Sequence, residues 1–272
     1  MDKNWSDLSE GLCAVLNTEN AQDKAAITHE LYKLWCDGAL GFAFNKSPPD
    51  RPSRPLKPEL LDLTEMKKRR KVGSITNHQA IMHAVCHIEL NAIDLAIDIV
   101  CRFGAGMPRD FTDDWIKVAD DEARHFLLMN ERLTDLGSYY GAMPAHDGLW
   151  QSAQATANDL SARLAIVPMV LEARGLDVTP SMIEKFNRSD DKKSAAVLTV
   201  IYDDEISHVA CGTKWFNHVA ESQGLDPQKL FQQKVKEFFR GYIKPPFNKT
   251  ARDAANFPQD WYLPLVDLYK IE

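Results

Sequence analysis

Asp120-Asp121-Glu122-Ala123-Arg124-His125-Phe126 and Asp203-Asp204-Glu205-Ile206-Ser207-His208-Val209 are two versions of one heptapeptide. Each holds a Glu and a His three apart, and each follows another glutamate at the same distance: Glu89 precedes Glu122 by 33 residues, and Glu172 precedes Glu205 by 33. Residues three apart on an α-helix share a face one turn from each other, so Glu122 with His125, and Glu205 with His208, can reach a common point. The order Glu, Glu-x-x-His, Glu, Glu-x-x-His is the ligand set expected of a dinuclear metal centre inside a helical bundle. Carboxylate oxygen with imidazole nitrogen suits iron or manganese better than a thiolate-rich set would, and bridging carboxylates offset the charge of two adjacent cations. The expected cofactor is two Fe ions, with Mn or a mixed Mn/Fe pair as the alternative.

The doubling makes the pattern specific. With 14 Glu and 8 His in 272 residues, chance supplies roughly 0.4 Glu-x-x-His pairs, so a single match would mean little. Two pairs on separate helical runs, each 33 residues after a further Glu, are hard to obtain by accident. The competing reading is two amphipathic helices with surface Glu–His pairs. The neighbours Phe126, Leu127 and Leu128, and Val200, Ile201 and Val209, oppose it because they look buried.

Helical periods and their stop signals surround these segments. Two helices are expected near 5–16 and 20–37. Long runs follow at Thr76–Phe103, at Asp110–Leu136 with Asp110 as N-cap and Gly137 just past the end, at Leu149–Arg174 ended by Gly175, and at Asp191–Gln223 ended by Gly224. Pro168 should kink the third run one turn before Glu172. A short crossing helix is expected at Pro180–Asn187 and another helix at Pro227–Gly241. Pro48, Pro49, Pro52, Pro55 and Pro58 make Asn45–Pro58 an extended arm. The aromatic tail (Phe247, Phe257, Trp261, Tyr262) should pack back on the body. No strand pattern stands out. The expected fold is all-α: a four-helix bundle at 72–224 with the dimetal site, N-terminal helices and Pro-rich arm at 1–71, and a C-terminal helix and tail at 225–272.

Composition narrows the partners. The net charge of −7 gives little long-range attraction to nucleic acid. The cluster Lys67-Lys68-Arg69-Arg70-Lys71 reads as a solvated helix end or loop, with an RNA or phosphate contact as the sharper alternative. No apolar run reaches about 18 residues, so no membrane-spanning helix is expected, and Met1–Asp7 lacks the plan of a signal peptide. Five cysteines, odd in number and without Cys-x-x-Cys, suit reduced thiols in the cytoplasm.

Several neighbours of the ligands have candidate roles. Asp121 and Asp204 each precede a ligand Glu. A metal-bound His commonly donates its second ring N–H to a carboxylate, so both are expected to orient a ligand histidine, each serving the opposite helix; the alternative is a solvated carboxylate. Tyr202, one turn before Glu205, is a candidate catalytic or hydrogen-bonding group, against the reading of a core tyrosine with a satisfied hydroxyl. Cys86 reads as a small core residue. His83 and His87 read as structural hydrogen-bonding groups.

The six ligands in their order resemble the ferritin-like superfamily of di-iron carboxylate proteins. More narrowly, His87-Ile-Glu-Leu-Asn-Ala-Ile-Asp94, Asp121-Glu-Ala-Arg-His125, Pro168-Met-Val-Leu-Glu-Ala-Arg-Gly-Leu-Asp177 and Asp204-Glu-Ile-Ser-His208 resemble an uncharacterised ferritin-like family known as a domain of unknown function. Lys244-Pro-Pro-Phe-Asn248 and Trp261-Tyr-Leu-Pro264 fit it too, so the likeness covers about residues 45–265. It implies the bundle and the metal site and carries no settled reaction. The second motif departs from the first at Ser207, which stands where Arg124 stands. Three functions compete: an enzyme that activates O2 to oxidise or hydroxylate a substrate, such as a small molecule or a tRNA base (a tRNA-modifying hydroxylase of the ferritin-like class is the concrete analogy); a ferroxidase or iron-handling protein; and a scaffold held together by metal. Six ionisable core ligands are a costly way to stabilise a bundle, which disfavours the last. The segments flanking the bundle favour the first, since a storage protein needs little beyond it.

Overall fold

In the computed structural model, which describes residues 5–62, 65–66 and 75–266, the chain is helical and no β-strand forms among the described residues. Its contacts divide it into two compact units, Met1–Trp150 and Gln151–Glu272. This division cuts the 72–224 segment just inside the start of its third expected run. The Lys67–Lys71 cluster lies outside the described residues.

The first unit is built on α3 (Ile75–Phe103), preceded by α1 (Leu8–Leu16) and α2 (Ala21–Cys36). At 29 residues, α3 is about 44 Å long. Every residue from Glu89 to Cys101 is buried, so this stretch has no solvated face. It packs against α1, α2 and α4 (Arg109–Asp135). Such all-round burial is tolerable at Asp94 and Asp98 because both are paired. Asp94 receives Lys24 Nζ at 2.5 Å and lies 2.9 Å from Arg54 Nη2, while Asp98 takes Arg102 Nε at 2.7 Å. Lys24 and Arg102 also donate to the carbonyls of Ser53 and Pro49. The Pro-rich arm, which has few amide hydrogens to offer, is thus fastened through its carbonyl groups.

Capping explains most helix starts. Asn20 accepts the N–H groups of Gln22 and Asp23 at the start of α2. The N-cap of α4 is Pro108, with Asp110 inside the first turn. That corrects the expectation of Asp110 as cap; its charge there still favours the helix N-terminus. Gly137 (φ +72°) ends α4. The loop after it folds onto α3: Gly141 N–H donates to His83 Nε2 at 2.9 Å, and His87 bonds Tyr140 and the His146 carbonyl. Both histidines are therefore structural hydrogen-bonding groups.

The largest departure lies in the third run. It is α5 (Gly148–Ala155), α6 (Leu160–Ile166), a π turn (Val167–Glu172) and α7 (Ala173–Arg188). Asp159 caps α6 through Ala162 N–H, and buried Arg163 reaches back to the Ala153 carbonyl, stabilising the break. Pro168 has no N–H to donate, and Ala173 N–H bonds the carbonyl five residues back, at Pro168. The expected kink is thus a π turn. Gly175 does not stop the helix, and Pro180 lies inside α7 rather than opening a separate one.

α8 (Lys192–Ser222) packs on α7 and on the π turn, and α9 (Pro227–Phe238), α10 (Lys249–Ala254) and α11 (Gln259–Tyr262) complete the second unit. The tail does pack back. Phe257, Trp261 and Tyr262 are buried, and the Arg252 guanidinium lies over the Phe247, Phe257 and Tyr262 rings. Its charge is met by a two-pronged pair with Asp177, Nε to Oδ1 at 2.9 Å and Nη2 to Oδ2 at 2.7 Å.

Candidate metal centre

In the first unit, α3 contributes Glu89 and α4 contributes Glu122 and His125, and all three are buried. His125 Nδ1 lies 3.2 Å from Glu122 Oε2 and 3.5 Å from Glu89 Oε2. One donor atom from each residue lies within 4.8 Å of the others. Glu89 Oε2 is buried yet receives no hydrogen bond of good geometry.

The electrostatics follow. Burial, reinforced by the Glu122 charge, pushes the Glu89 carboxyl well above the usual carboxylate range. Burial alone would lower His125, but its contacts with Glu122 and Glu89 overcome that and push it up to about 11. Without metal, a proton on His125 Nδ1 faces the Glu122 carboxylate at 3.2 Å and the Glu89 carboxyl at 3.5 Å. A divalent cation in the same place would meet the same oxygens and displace that proton from Nδ1, as metal binding to protonated ligands generally does. Two carboxylates and one imidazole, close together, dry and with an oxygen left over, fit a hard or borderline cation.

In the second unit, Glu205 and His208 lie on α8, and both are buried, with His208 Nδ1 3.7 Å from Glu205 Oε2. Glu172 is the last residue of the π turn and is half-buried. A glycine sets the closeness of that turn to α8. A Cβ on Gly212 would lie 2.5 Å from Pro168 Cβ and 2.7 Å from its Cγ. Gly212 follows His208 by one turn, and Pro168 precedes Glu172 by one turn. The contact therefore fixes the spacing of the elements that carry the ligands.

The flanking candidates are distributed as follows. Asp121 is buried and pairs on its own helix with Lys117 Nζ at 2.5 Å and Arg124 Nη2 at 3.3 Å. Asp204 is half-buried. The Tyr202 hydroxyl accepts Asn248 Nδ2–H at 2.8 Å, and Asn248 N–H in turn donates to Asp177 Oδ1 at 2.9 Å, so this tyrosine is tied to the anchored tail. Cys86 is fully buried. Among the apolar neighbours, Phe126, Ile201 and Val209 are buried, while Leu127 and Val200 are exposed.

Sequence reasoning missed Gly212 and the buried Lys24–Asp94–Arg54 group. A glycine in the middle of a 31-residue helix was the available signal for the first, since an interior glycine disfavours a helix and usually has a packing reason. The pairing of residues 70 apart in the second left no local trace.

The chain belongs to the family described as "protein of unknown function (DUF455)", whose profile matches residues 17–263. It is 36% identical over 271 residues to an uncharacterised protein of Haemophilus influenzae, covering 94% of this chain and 92% of that one. No solved structure matches. No helix among the described residues is long and apolar enough to cross a membrane.

Proposed function

We propose that this protein is a dimetal, di-iron-type carboxylate oxidoreductase of ferritin-like architecture, which activates O2 to oxidise or hydroxylate an organic substrate. The observation that carries the proposal is the buried Glu89–Glu122–His125 cluster, set beside the same residue types at the same spacing in Glu172, Glu205 and His208. Three protein ligands are few for two cations, and the repeated set doubles them to the four carboxylates and two imidazoles of a dinuclear centre in a four-helix bundle.

In this reading Glu89, Glu122, His125, Glu172, Glu205 and His208 would hold the ions, which would supply redox chemistry toward O2. The chain supplies the rest. Its apolar surroundings exclude water, its carboxylates lower the charge of the ions, and Nδ1 of His125 gives up its proton on loading. An open cleft of about 250 Å³, bordered by Pro55, Lys57, Phe126, Asn130, Tyr139 and Tyr140, lies behind the residue that follows His125. It is a suitable place for a small substrate.

Metal analysis of protein purified from its own host tests this first, with two ions per chain expected. Glu122→Ala and Glu205→Ala should each remove half or more of that metal. Retention of two ions after both changes would refute the assignment. Loading with Fe(II) without air, followed by O2, separates the readings. Oxygen uptake linked to an organic product supports the oxidoreductase, whereas uptake with iron accumulating in a large closed shell favours iron handling.

A further inference from the structure

Two cysteines that the metal reading does not use face each other across the first unit. Cys13 on α1 is partly exposed, and Cys101 near the end of α3 is buried. Their Sγ atoms are 3.8 Å apart, and Cys13 Sγ–H also donates to the Ser47 carbonyl of the Pro-rich arm at 3.4 Å. A disulfide needs the sulfurs about 2.05 Å apart, so less than 2 Å of side-chain rotation separates this dithiol from a bond. Cys36 is exposed at the end of α2, and Cys86 is wholly buried beside the ligands.

We propose that Cys13 and Cys101 form a redox-modification site, a vicinal dithiol that low-molecular-weight disulfides oxidise to an intramolecular disulfide linking α1 to α3. Cys13 is the attacking thiol because it is the exposed one. Its thiolate attacks one sulfur of the small disulfide, making a mixed disulfide and releasing one small thiol. Cys101, after losing its proton, attacks Cys13 Sγ and releases the second. In total two protein thiols and one small disulfide become one protein disulfide and two small thiols. The protein loses two electrons and two protons, and the small disulfide gains them.

The surroundings set the character of the reaction. Burial raises both thiols above the ordinary range, and Lys46 partly opposes this at Cys13. Attack by a thiolate is therefore slow near neutrality and faster in mild alkali. Oxidation also removes the S–H that holds the Ser47 carbonyl, so it frees one point of the arm while joining two helices. The inference stands on these two residues alone and is independent of whether metal is bound.

Full-length protein with Cys36→Ser, to remove the exposed competing thiol, is incubated with oxidised glutathione and mapped by non-reducing proteolysis and mass spectrometry. A single linked peptide pair holding Cys13 and Cys101 is expected, with a higher melting temperature than the reduced protein. With Cys101→Ala added, Cys13 should stop at a stable mixed disulfide with glutathione. Separate mixed disulfides, or both thiols still open to alkylation, would overturn the proposal. So would an unchanged or lower melting temperature in the linked protein. The peptide map of the Cys36→Ser protein decides the matter even if Cys101→Ala fails to fold.

Discussion

Replacing Gly212 with Ala sets two effects of opposite sign against each other, and the structure says which wins. In a helix interior Ala is favoured over Gly by about 1 kcal/mol, so intrinsic propensity makes Gly212→Ala stabilising. The new methyl would meet Pro168 Cβ at 2.5 Å and Cγ at 2.7 Å, more than 1 Å inside ordinary carbon–carbon contact. Those atoms belong to a rigid ring within a π turn, so no flexible end can swing away. Overpacking of this kind costs typically 1–3 kcal/mol, and two clashes against a ring belong at the upper end. The net is a loss of about 2 kcal/mol, or about 4–8 °C in melting temperature for a chain of this size. Gly175→Ala is the internal control: it is also inside a helix, but a Cβ there meets nothing within 4 Å. It should raise stability by up to about 1 kcal/mol. Both are measured on metal-free protein by thermal and urea unfolding. Gly212→Ala should also lower metal content, because the turn that it pushes from α8 ends in Glu172. If Gly212→Ala is as stabilising as Gly175→Ala, the close packing of Pro168 on α8 is wrong.

Three further outcomes follow from buried polar groups. Asp94→Asn leaves Lys24 and Arg54 without their carboxylate; a broken buried pair costs about 3–5 kcal/mol, and a urea midpoint unchanged from wild type would contradict the pairing. His83, buried and accepting Gly141 N–H, is pulled down by burial to about 4 from 6.5. The unfolded chain takes up that proton first, so stability is full above about pH 6.5 and declines as pH falls towards 4, by no more than about 3 kcal/mol; His83→Gln should flatten that slope, and an equally steep loss in the variant would exclude His83 as its source. Tyr202→Phe removes the acceptor of the Asn248 bond and should cost about 1 kcal/mol with metal content intact; lost metal would instead place that hydroxyl at the ligands.

The ligand candidates were legible in the chain because a helix turns residue spacing into geometry. A Glu and a His three apart are neighbours whatever surrounds them, so Glu122–His125 and Glu205–His208 needed no tertiary information. Glu89 was legible through its equal offset from Glu122, and α3 brings it to 3.5 Å from His125. Tyr202 obeyed the same spacing rule, yet its hydroxyl bonds a residue 46 positions away. Helical spacing places a side chain on a face and leaves its partner open.

Helix content, the extended arm, the packed tail and the Glu-x-x-His pairs were thus determined by local rules: periodicity, proline's missing amide hydrogen, and the burial of aromatic rings. What only the tertiary structure decided were features set by distant contacts. The helix through Gly175 and Pro180 continues because packing on α8 outweighs two residues of poor propensity. Pro168 yields a π turn rather than a simple kink, and that turn seats against the one position of α8 that lacks a Cβ. The buried carboxylate Asp94 finds its cations 70 and 40 residues earlier, and Cys13 finds Cys101 88 residues later. Burial energies depend on which surfaces meet, and that is fixed only when the whole chain has folded.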